Sequence, residues 1–561
     1  MKWNPIPSKD ESFITSLNQQ MKILGQSPIH PFIAKHLATL GLTVPEMVKF
    51  LFPQKEHAHS PWLLKGMREM IEQLEDAIVS GKHITIVGDY DVDGVGATAI
   101  AMKALTSLGA NVDYYIPDRK KEGYGIKPLV VEALKQRGTE VILTVDNGIS
   151  ANDAVSYAKS YGMTVLVSDH HTPGGTLPEA DVLINPKQPQ CEYPFKGISG
   201  GAVAYKIVQA LYEQMGYPEE AYEEYLDLVA LTTVADVMPM VDENRYFVQE
   251  GLKQMRENPS LPIQSLMKVL KIDKRQLSES TLGFYFGPTL NAPGRLAHAE
   301  TSVQLLLAKT QLESLILANE CNEYNKQRQI LLEEALKEAA PLLTSNPVQV
   351  LKLDVEEGIA GVVAGQIKEN TNSPIFVFTP ALNEQGETIL KGSGRSIPGF
   401  SLYLGLKAVA DQHPKWFYTY GGHDGAAGVS IYPRYLDDFR IAINDIFKKT
   451  TVPEVEEYYV DEVKVEELEE LSHHVRLLAP FGNQNPNPCV KVKTVIKDTV
   501  IFGLKQNHLR LFTEEGMELT LFRGSHLQVE KDKEAEVFLT INRSFFAGRE
   551  KLDLFLQDII Q

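Results

Sequence analysis

Three aspartates at alternate positions, Asp89, Asp91 and Asp93, lie in the stretch ITIVGDYDVDGVGAT at residues 84–98. Carboxylates this close repel one another, and a loop gains nothing from that until a cation arrives. Hard oxygen ligands suit Mg²⁺, Ca²⁺ or Mn²⁺. One such aspartate would be an ordinary polar turn; three at this spacing point to a metal site. An EF-hand loop also begins D-x-D-x-D-G, as Asp89 to Gly94 does, but its twelfth residue must be a bidentate glutamate. Here that residue is Ile100, and the loop follows a strand pattern instead of a helix, so the EF-hand is excluded. Further ligand types follow: Asp146 in Asp-Asn-Gly, the run Asp169-His170-His171, and Asp236 in Ala-Asp-Val-Met-Pro. Together they suffice for two metal ions. Two ions about 3.5–4 Å apart can share a carboxylate, hold an activated hydroxide and clamp a phosphoryl group. Mixed carboxylate and imidazole ligands favour Mn²⁺, with Mg²⁺ as a substitute.

The elements around these residues must bring them together. Ile84, Ile86 and Val87 form a β-branched run that predicts a buried strand, and Gly94 and Gly96 turn the chain into a helix beginning near Val95 and ending near Leu108. Strands are expected over residues 112–116, 141–145 and 164–167, with a helix at 128–136 between the first two. This alternation implies a mostly parallel sheet covered by helices. The runs ending at Val87, Val145 and Val167 each deliver an acidic or imidazole group just past the carboxyl end, where open α/β sheets bind ligands. A helix over 226–234 delivers Asp236.

At 561 residues the chain needs several cores. It has 43% hydrophobic residues, no apolar run of membrane-spanning length and no apolar N-terminal segment. Three widely spaced cysteines argue against disulfides and against a cysteine zinc site, and they fit a reducing cytoplasm. A net charge of −18 argues against wholesale electrostatic binding of nucleic acid, although the ligands of a metallo-nuclease count against it in that sum.

The order GDYDVDG, VDNG, SDHH and VADVMP resembles the motifs of the DHH phosphoesterase superfamily. YIPDRKKEGYG (115–125), GPTLNAPGRL (287–296), GSGRS (392–396), GGHDGAAG (421–428) and PFGNQNPNP (480–488) extend the resemblance to the RecJ-type single-strand DNA exonucleases. The implied fold class is α/β. A helical region (1–75) precedes a DHH domain (76–298), a helical linker (299–342), a DHH-associated α/β domain (343–450) and an OB-like β-barrel (455–561). The resemblance implies one metal held by Asp93, Asp146, His170 and Asp236, and another by Asp91 and the shared Asp146, with Asp89 as ligand or support. His171 would face the scissile phosphate and Asp169 would orient a histidine. Arg119, Arg295, Ser393 and Arg395 would take phosphate oxygens, which the arginine fork binds bidentately. His423 would close on the same phosphates, and Tyr124 would stack on a base. Each has a plainer role available: a loop charge for Arg119, a helix cap for Arg295, packing for Tyr124. The glycines of GSGRS (Gly394 among them) and of GGH are read as letting an anion approach the backbone.

One departure from the family pattern is Glu356-Glu357, where many relatives carry Trp-His. Over 299–340 the chain reads as one long helix or two, with Asn322, Asn325, Arg328 and Gln329 on a solvated face by default. Five short β-runs follow within 490–556. Residues 490–561 carry eleven basic and eleven acidic side chains, so the barrel is not basic, and Phe502, Phe512, Phe545 and Phe546 can either stack on bases or fill its core. The implied activity is hydrolysis of single-stranded DNA, 5′ to 3′, to 5′-mononucleotides, in DNA repair and recombination. A helicase or a single-strand-binding protein is the implied partner, with the chain a cytoplasmic monomer and no membrane involved. Two alternatives remain: a phosphodiesterase for short oligonucleotides or cyclic dinucleotides, and a non-catalytic DNA-binding scaffold. The barrel argues against the first, and the full set of ligands argues against the second.

Overall fold

The structure is a computed structural model that describes residues 2–6, 12–119, 121–383, 385–453, 456–503, 505–546 and 549–561. Val455, the expected start of the OB-like barrel region, and Lys120 of the 115–125 motif lie outside the described residues. The chain divides into two compact units. One comprises residues 1–115, 125–287 and 456–561; the other comprises 116–124 and 288–455.

The first unit holds a five-stranded parallel sheet in the order Val112–Tyr115, Ile84–Val87, Val141–Val145, Thr164–Ser168, Val182–Ile184. From Ile84–Val87 the chain moves outward to Val112–Tyr115 and then returns to the opposite side at Val141–Val145. The strand order therefore reverses between the strands that end beside Asp89 and Asp146, the point at which such sheets hold ligands. The β-branched run Ile84–Val87 is buried throughout, as its composition demands. The helix that follows spans Val92–Ser107 and so begins before Val95, because Asp91 caps it: the Asp91 carboxylate accepts from the amides of Asp93 (3.0 Å) and Gly94 (3.1 Å). This helix packs closely on Gly200–Gln214 and Leu226–Ala235. A Cβ at Gly96 would lie 2.3 Å from Thr232, and one at Gly201 would lie 2.4 Å from the same side chain.

The C-terminal part of this unit is a closed barrel. Cys489–Phe502 pairs with both His508–Thr513 and Lys533–Phe546; Glu518–Leu521 and Arg549–Ile560 complete the ring. Five strands closed in this way form an OB-type barrel. Phe502, Phe512 and Phe545 are half-buried, and the side chain of Phe546 lies outside the described residues. The N-terminal helices share the barrel's core: Leu17, Phe32, Leu37 and Phe50 are buried in one cluster with Val490, Leu511 and Val537. The region expected to be helical also contains a strand, Lys2–Pro5, paired in parallel with Glu456–Tyr459.

In the second unit the stretch 299–340 is two helices, Glu300–Leu307 and Gln311–Ala339. Asn325 is buried instead of solvated, donating to Thr289 (3.3 Å) and accepting from the Arg328 guanidinium at 2.9 and 3.0 Å. A mixed sheet follows in the order Phe417–Gly422, Ala426–Ile431, Thr388–Arg395, Ile375–Leu382, Gln349–Lys352. Its core contains Phe376, Phe378, Leu402, Phe439 and Ile443. Among the described residues, no helix is long and apolar enough to cross a membrane.

Candidate metal centre

The first unit brings Asp89, Asp91, Asp93, Asp146, Asp169, His170, His171 and Asp236 to one edge of its parallel sheet. Three sets have ligand atoms within 4.8 Å of one another: Asp146, His170 and His171; Asp93, His170 and Asp236; Asp89, Asp91 and Asp146. Asp146 belongs to the first and last of these, and His170 to the first two.

The imidazole of His170 is the sharpest test of whether the site fits a cation. Its Nδ1 lies 3.0 Å from the carbonyl of Ile198, so Nδ1–H donates there and Nε2 carries the lone pair. Nε2 is buried without a hydrogen-bond partner, 3.2 Å from Asp146 Oδ1 and 3.5 Å from both Asp93 Oδ2 and Asp236 Oδ2. Burial, with the charge of His171, pushes its pKa down to about 3, so the imidazole is neutral. A bare nitrogen facing three carboxylate oxygens is a repulsive arrangement for the protein alone and a ligand set for a divalent cation. The carboxylates show the same conflict. Burial, then the charges of Asp236 and Asp91, raise the Asp93 pKa well above its ordinary value. Asp146 is raised by burial and by Asp93, Asp91, Asp169 and Asp89. Asp236 is raised to about 7, by burial and by Asp91.

Backbone geometry aims these groups. Asp146 adopts a left-handed conformation (φ 62°), which aspartate tolerates better than most residues. The next residue, Asn147, donates to the carbonyls of Val87 and Val145, both at 2.9 Å, tying the two central strand ends together. Asp93 accepts from the amides of Gly200 (2.6 Å) and Gly201 (2.8 Å) at the start of the helix Gly200–Gln214. Gly200 has to be glycine, since a Cβ there would lie 2.5 Å from the Asp146 side chain.

Asp169 acts on the histidines. Its Oδ1 accepts from the amides of His170 (2.7 Å) and His171 (3.0 Å) and from His171 Nδ1 (2.8 Å), while Oδ2 accepts from the Ile149 amide (2.9 Å). Burial opposes ionisation of Asp169, but the hydrogen bond and charge of His171 and these amides outweigh it and hold its pKa low. The reciprocal effect raises His171 to about 9: burial works against its charge, and the Asp169 hydrogen bond with the charges of Asp169, Asp236 and Asp93 prevails. The adjacent histidines thus carry opposite protonation.

The substrate-binding candidates Arg119, Tyr124, Arg295, Ser393, Gly394, Arg395 and His423 all fall in the second unit. Arg395 is largely buried. That burial, with the charge of Arg119, lowers its pKa, so two guanidinium groups stand near one another. Arg395 and Ser393 both border Gly361, where a Cβ would lie 3.1 Å from the Arg395 guanidinium and 3.5 Å from Ser393 Oγ. Arg295 donates to the carbonyl of Gly358 (3.1 Å). Tyr124 is 44% exposed. His423 lies exposed in the turn between Phe417–Gly422 and Ala426–Ile431. The glycines of GSGRS have a packing reason as well: a Cβ at Gly392 would lie 2.6 Å from the Phe378 ring, and one at Gly394 would lie 2.7 Å from that of Phe376. Packing is thus sufficient to require glycine at both positions. Gly422 likewise serves the hairpin, with φ 136° and its Cβ position 2.4 Å from the Ala426 carbonyl. Glu357, part of the acidic departure, pairs with Lys391 at 3.0 Å.

Sequence reasoning missed several residues. Lys187, half-buried, lies within electrostatic reach of Asp236 and Asp169. Gly200 and Gly201, following a capping serine in Ile198-Ser199-Gly200-Gly201, carried a signal: a Ser-Gly-Gly run opening a helix is a ready-made anion site. Asn483 lies in the PFGNQNPNP motif, but nothing there connects it to the Asp236 segment that it holds, and Asn244 gave no signal at all.

The fold and site define a DHH-family protein. Residues 83–233 match the DHH family, N-terminal domain; residues 345–449 match the DHHA1 domain; residues 460–558 match the RecJ OB domain. The single-stranded-DNA-specific exonuclease RecJ of Bacillus subtilis (strain 168) is 34% identical over 526 residues, 91% of this chain and 64% of that protein. RecJ of Salmonella typhimurium (strain LT2) is 32% identical over 89% of this chain and 91% of its own. Crystal structures of RecJ from Thermus thermophilus in complex with Mn²⁺ and with Mg²⁺ match the whole chain with TM-scores of 0.84 and 0.79, at 27% and 26% identity, covering 79% and 78% of those chains. The chain therefore belongs to the RecJ family of single-stranded-DNA-specific exonucleases, and it spans just under two thirds of the B. subtilis relative's length.

Proposed function

We propose that this chain hydrolyses the phosphodiester bonds of single-stranded DNA from the 5′ end, releasing 5′-mononucleotides, with two Mn²⁺ ions as the working metals. The observation that carries the reading is the bare Nε2 of His170 facing carboxylates of Asp93, Asp146 and Asp236. Asp93, Asp146, His170 and Asp236 would hold one ion; Asp89, Asp91 and Asp146 would hold the other. Bound there, the ions would supply a water ionised near neutral pH and neutralise charge developing on the phosphate. An imidazole among the ligands favours Mn²⁺ over Mg²⁺, which prefers oxygen and water.

The protein's own groups divide the remaining work. His171, kept protonated by Asp169, donates to a phosphate oxygen, and its charge stabilises the transition state. Asp169 fixes both histidine orientations through its four accepted hydrogen bonds. In the second unit Arg119, Arg295 and Arg395 with Ser393 and His423 take phosphates of the strand, and exposed Tyr124 offers a face to a base. Their roles rest on position within the motifs and on the clustering of Arg395, Ser393 and Arg119. The closed barrel supports a long, flexible substrate, for which such barrels are common platforms. Family membership supports a role in DNA repair and recombination; a cytoplasmic location and a helicase or single-strand-binding partner are proposed with it.

The deciding experiment is a time course with Mn²⁺ on long single-stranded DNA labelled separately at each end, beside its duplex and a dinucleotide. Release of mononucleotide from the 5′ end of the single strand is the expected result. Cleavage confined to the dinucleotide would overturn the reading and make the chain a small-substrate phosphodiesterase.

A further inference from the structure

The segment carrying Asp236 is built under strain. The helix Leu226–Ala235 ends with the Val237 amide donating to Val234 O (3.1 Å) and the Met238 amide donating to Thr233 O (3.1 Å). That pattern requires a left-handed residue at position 237, which is normally glycine. Here it is a β-branched valine at φ 54°, with its side chain 65% exposed. Such a conformation is unfavourable for a β-branched residue and persists only where its surroundings impose it. The strained residue directly follows Asp236, so any relaxation at Val237 swings the Asp236 carboxylate.

Two asparagines hold the segment. Asn244 donates to the carbonyls of Pro239 (2.9 Å) and Gly197 (2.8 Å). Asn483, from the PFGNQNPNP motif that begins the barrel, does more. Its side-chain amide donates to the carbonyl of Val237 itself (3.0 Å), and its own carbonyl accepts from the Met240 amide (2.7 Å). The motif is in turn rigid. Asn485 donates to the carbonyls of Leu478 and Pro480 at 2.9 and 2.8 Å. The buried guanidinium of Arg245 spans the carbonyls of Leu478, Ala479 and Pro480 at 3.0–3.1 Å. Gly482 abuts Met240, its Cβ position 3.4 Å from that side chain.

We propose that Asn483 is a positioning residue for the metal centre: its hydrogen bond to Val237 O holds the strained turn that aims the Asp236 carboxylate. The proposal rests on the reading of Asp236 as a metal ligand. It gives the barrel's opening motif a task at the hydrolytic site in addition to any contact with nucleic acid. The side chain of Asn483 is exposed, so its truncation should be a mild change to the fold, which the thermal midpoint below checks.

The test is Mn²⁺ affinity of the full-length Asn483→Ala protein, measured by calorimetry and by the EPR signal of free Mn²⁺, beside its thermal midpoint in EDTA and its kcat and KM on single-stranded DNA. Loss of a support behind a metal ligand typically costs 10–100-fold in affinity. The expected result is weakening of one Mn²⁺ site by about that factor, an unchanged midpoint in EDTA, and a kcat that falls at limiting Mn²⁺ and recovers at high Mn²⁺ with KM for DNA unchanged. Val237→Gly in the same background removes the strain, and the double variant should regain part of the lost affinity. Wild-type Mn²⁺ affinity in Asn483→Ala, or a loss that Val237→Gly does not relieve at all, would overturn the proposal. Failure of the wild-type chain to bind Mn²⁺ would instead overturn the metal reading of Asp236, and the proposal with it.

Discussion

Replacing Asp146 by asparagine removes one charge from the middle of the site and changes little else. Asparagine tolerates the left-handed backbone at this position; alanine would add strain of its own and confuse the measurement. Without metal, the Asp146 carboxyl is buried against Asp93, Asp91, Asp169 and Asp89, and its pKa stands well above the ordinary value. A raised folded-state pKa means that its contribution to stability is fully present below about pH 3.9, the unfolded value, and is lost as pH rises. At pH 8 the carboxyl therefore weakens the metal-free fold, and the neutral amide should relieve this by about 1–3 kcal/mol, the scale of an uncompensated buried polar group. With Mn²⁺ the order should invert. At 100 times the dissociation constant, a site confers about 2.7 kcal/mol. Asp146 belongs to two of the three ligand groups, so the variant forfeits most of that gain at both sites. Thermal unfolding in EDTA and in saturating Mn²⁺ reads both effects on the same two proteins. An Asp146→Asn protein that is less stable than wild type in EDTA, or that gains as much from Mn²⁺, would refute the electrostatic account of this site. Hydrolysis should fall by at least ~10³-fold in the variant, the scale of losing charge stabilisation at the reacting phosphate.

Other outcomes follow from single contacts. Asp169→Asn removes the partner that raises His171 to about 9; activity should drop about 10–100-fold and the alkaline limb of the pH–rate profile should move to lower pH. Arg395→Lys keeps the charge of a largely buried side chain but loses its fork, so KM for single-stranded DNA should rise with kcat nearly unchanged. His36 is buried at 4% exposure and pushed down to about 4. Stability should therefore be lost as pH falls from about 6.5 toward 4, by about 3 kcal/mol in total, and denaturant unfolding of His36→Leu should show a flatter acid limb. Replacing Mn²⁺ by Mg²⁺ should lower activity, since only the former accepts the His170 imidazole readily; equal rates with both would remove the argument for Mn²⁺.

What the sequence displayed was whatever local chemistry expresses. A β-branched run followed by Asp-x-Asp-x-Asp announces a buried strand feeding carboxylates to a sheet edge, and the switch between Ile84–Val87 and Val141–Val145 brings Asp89 and Asp146 to that edge. Even the error at the helix start was local. Gly94 and Gly96 suggest a turn and so a start near Val95, whereas Asp91, both cap and candidate ligand, starts the helix at Val92. What stayed hidden depends on partners far away in the chain. Nothing near Lys2 indicates that it pairs beside Glu456. Nothing near Gly394 indicates that a phenylalanine ring from the neighbouring strand occupies its Cβ position. The orientation of Asp236 depends on Asn483, 247 positions later, yet both residues in isolation read as a helix end and a turn. Ligands are thus legible because the chemistry restricts their type. The groups that aim them use ordinary amides and carbonyls, which any sequence supplies, and only the folded chain shows which amide is aimed at which carboxylate's backbone.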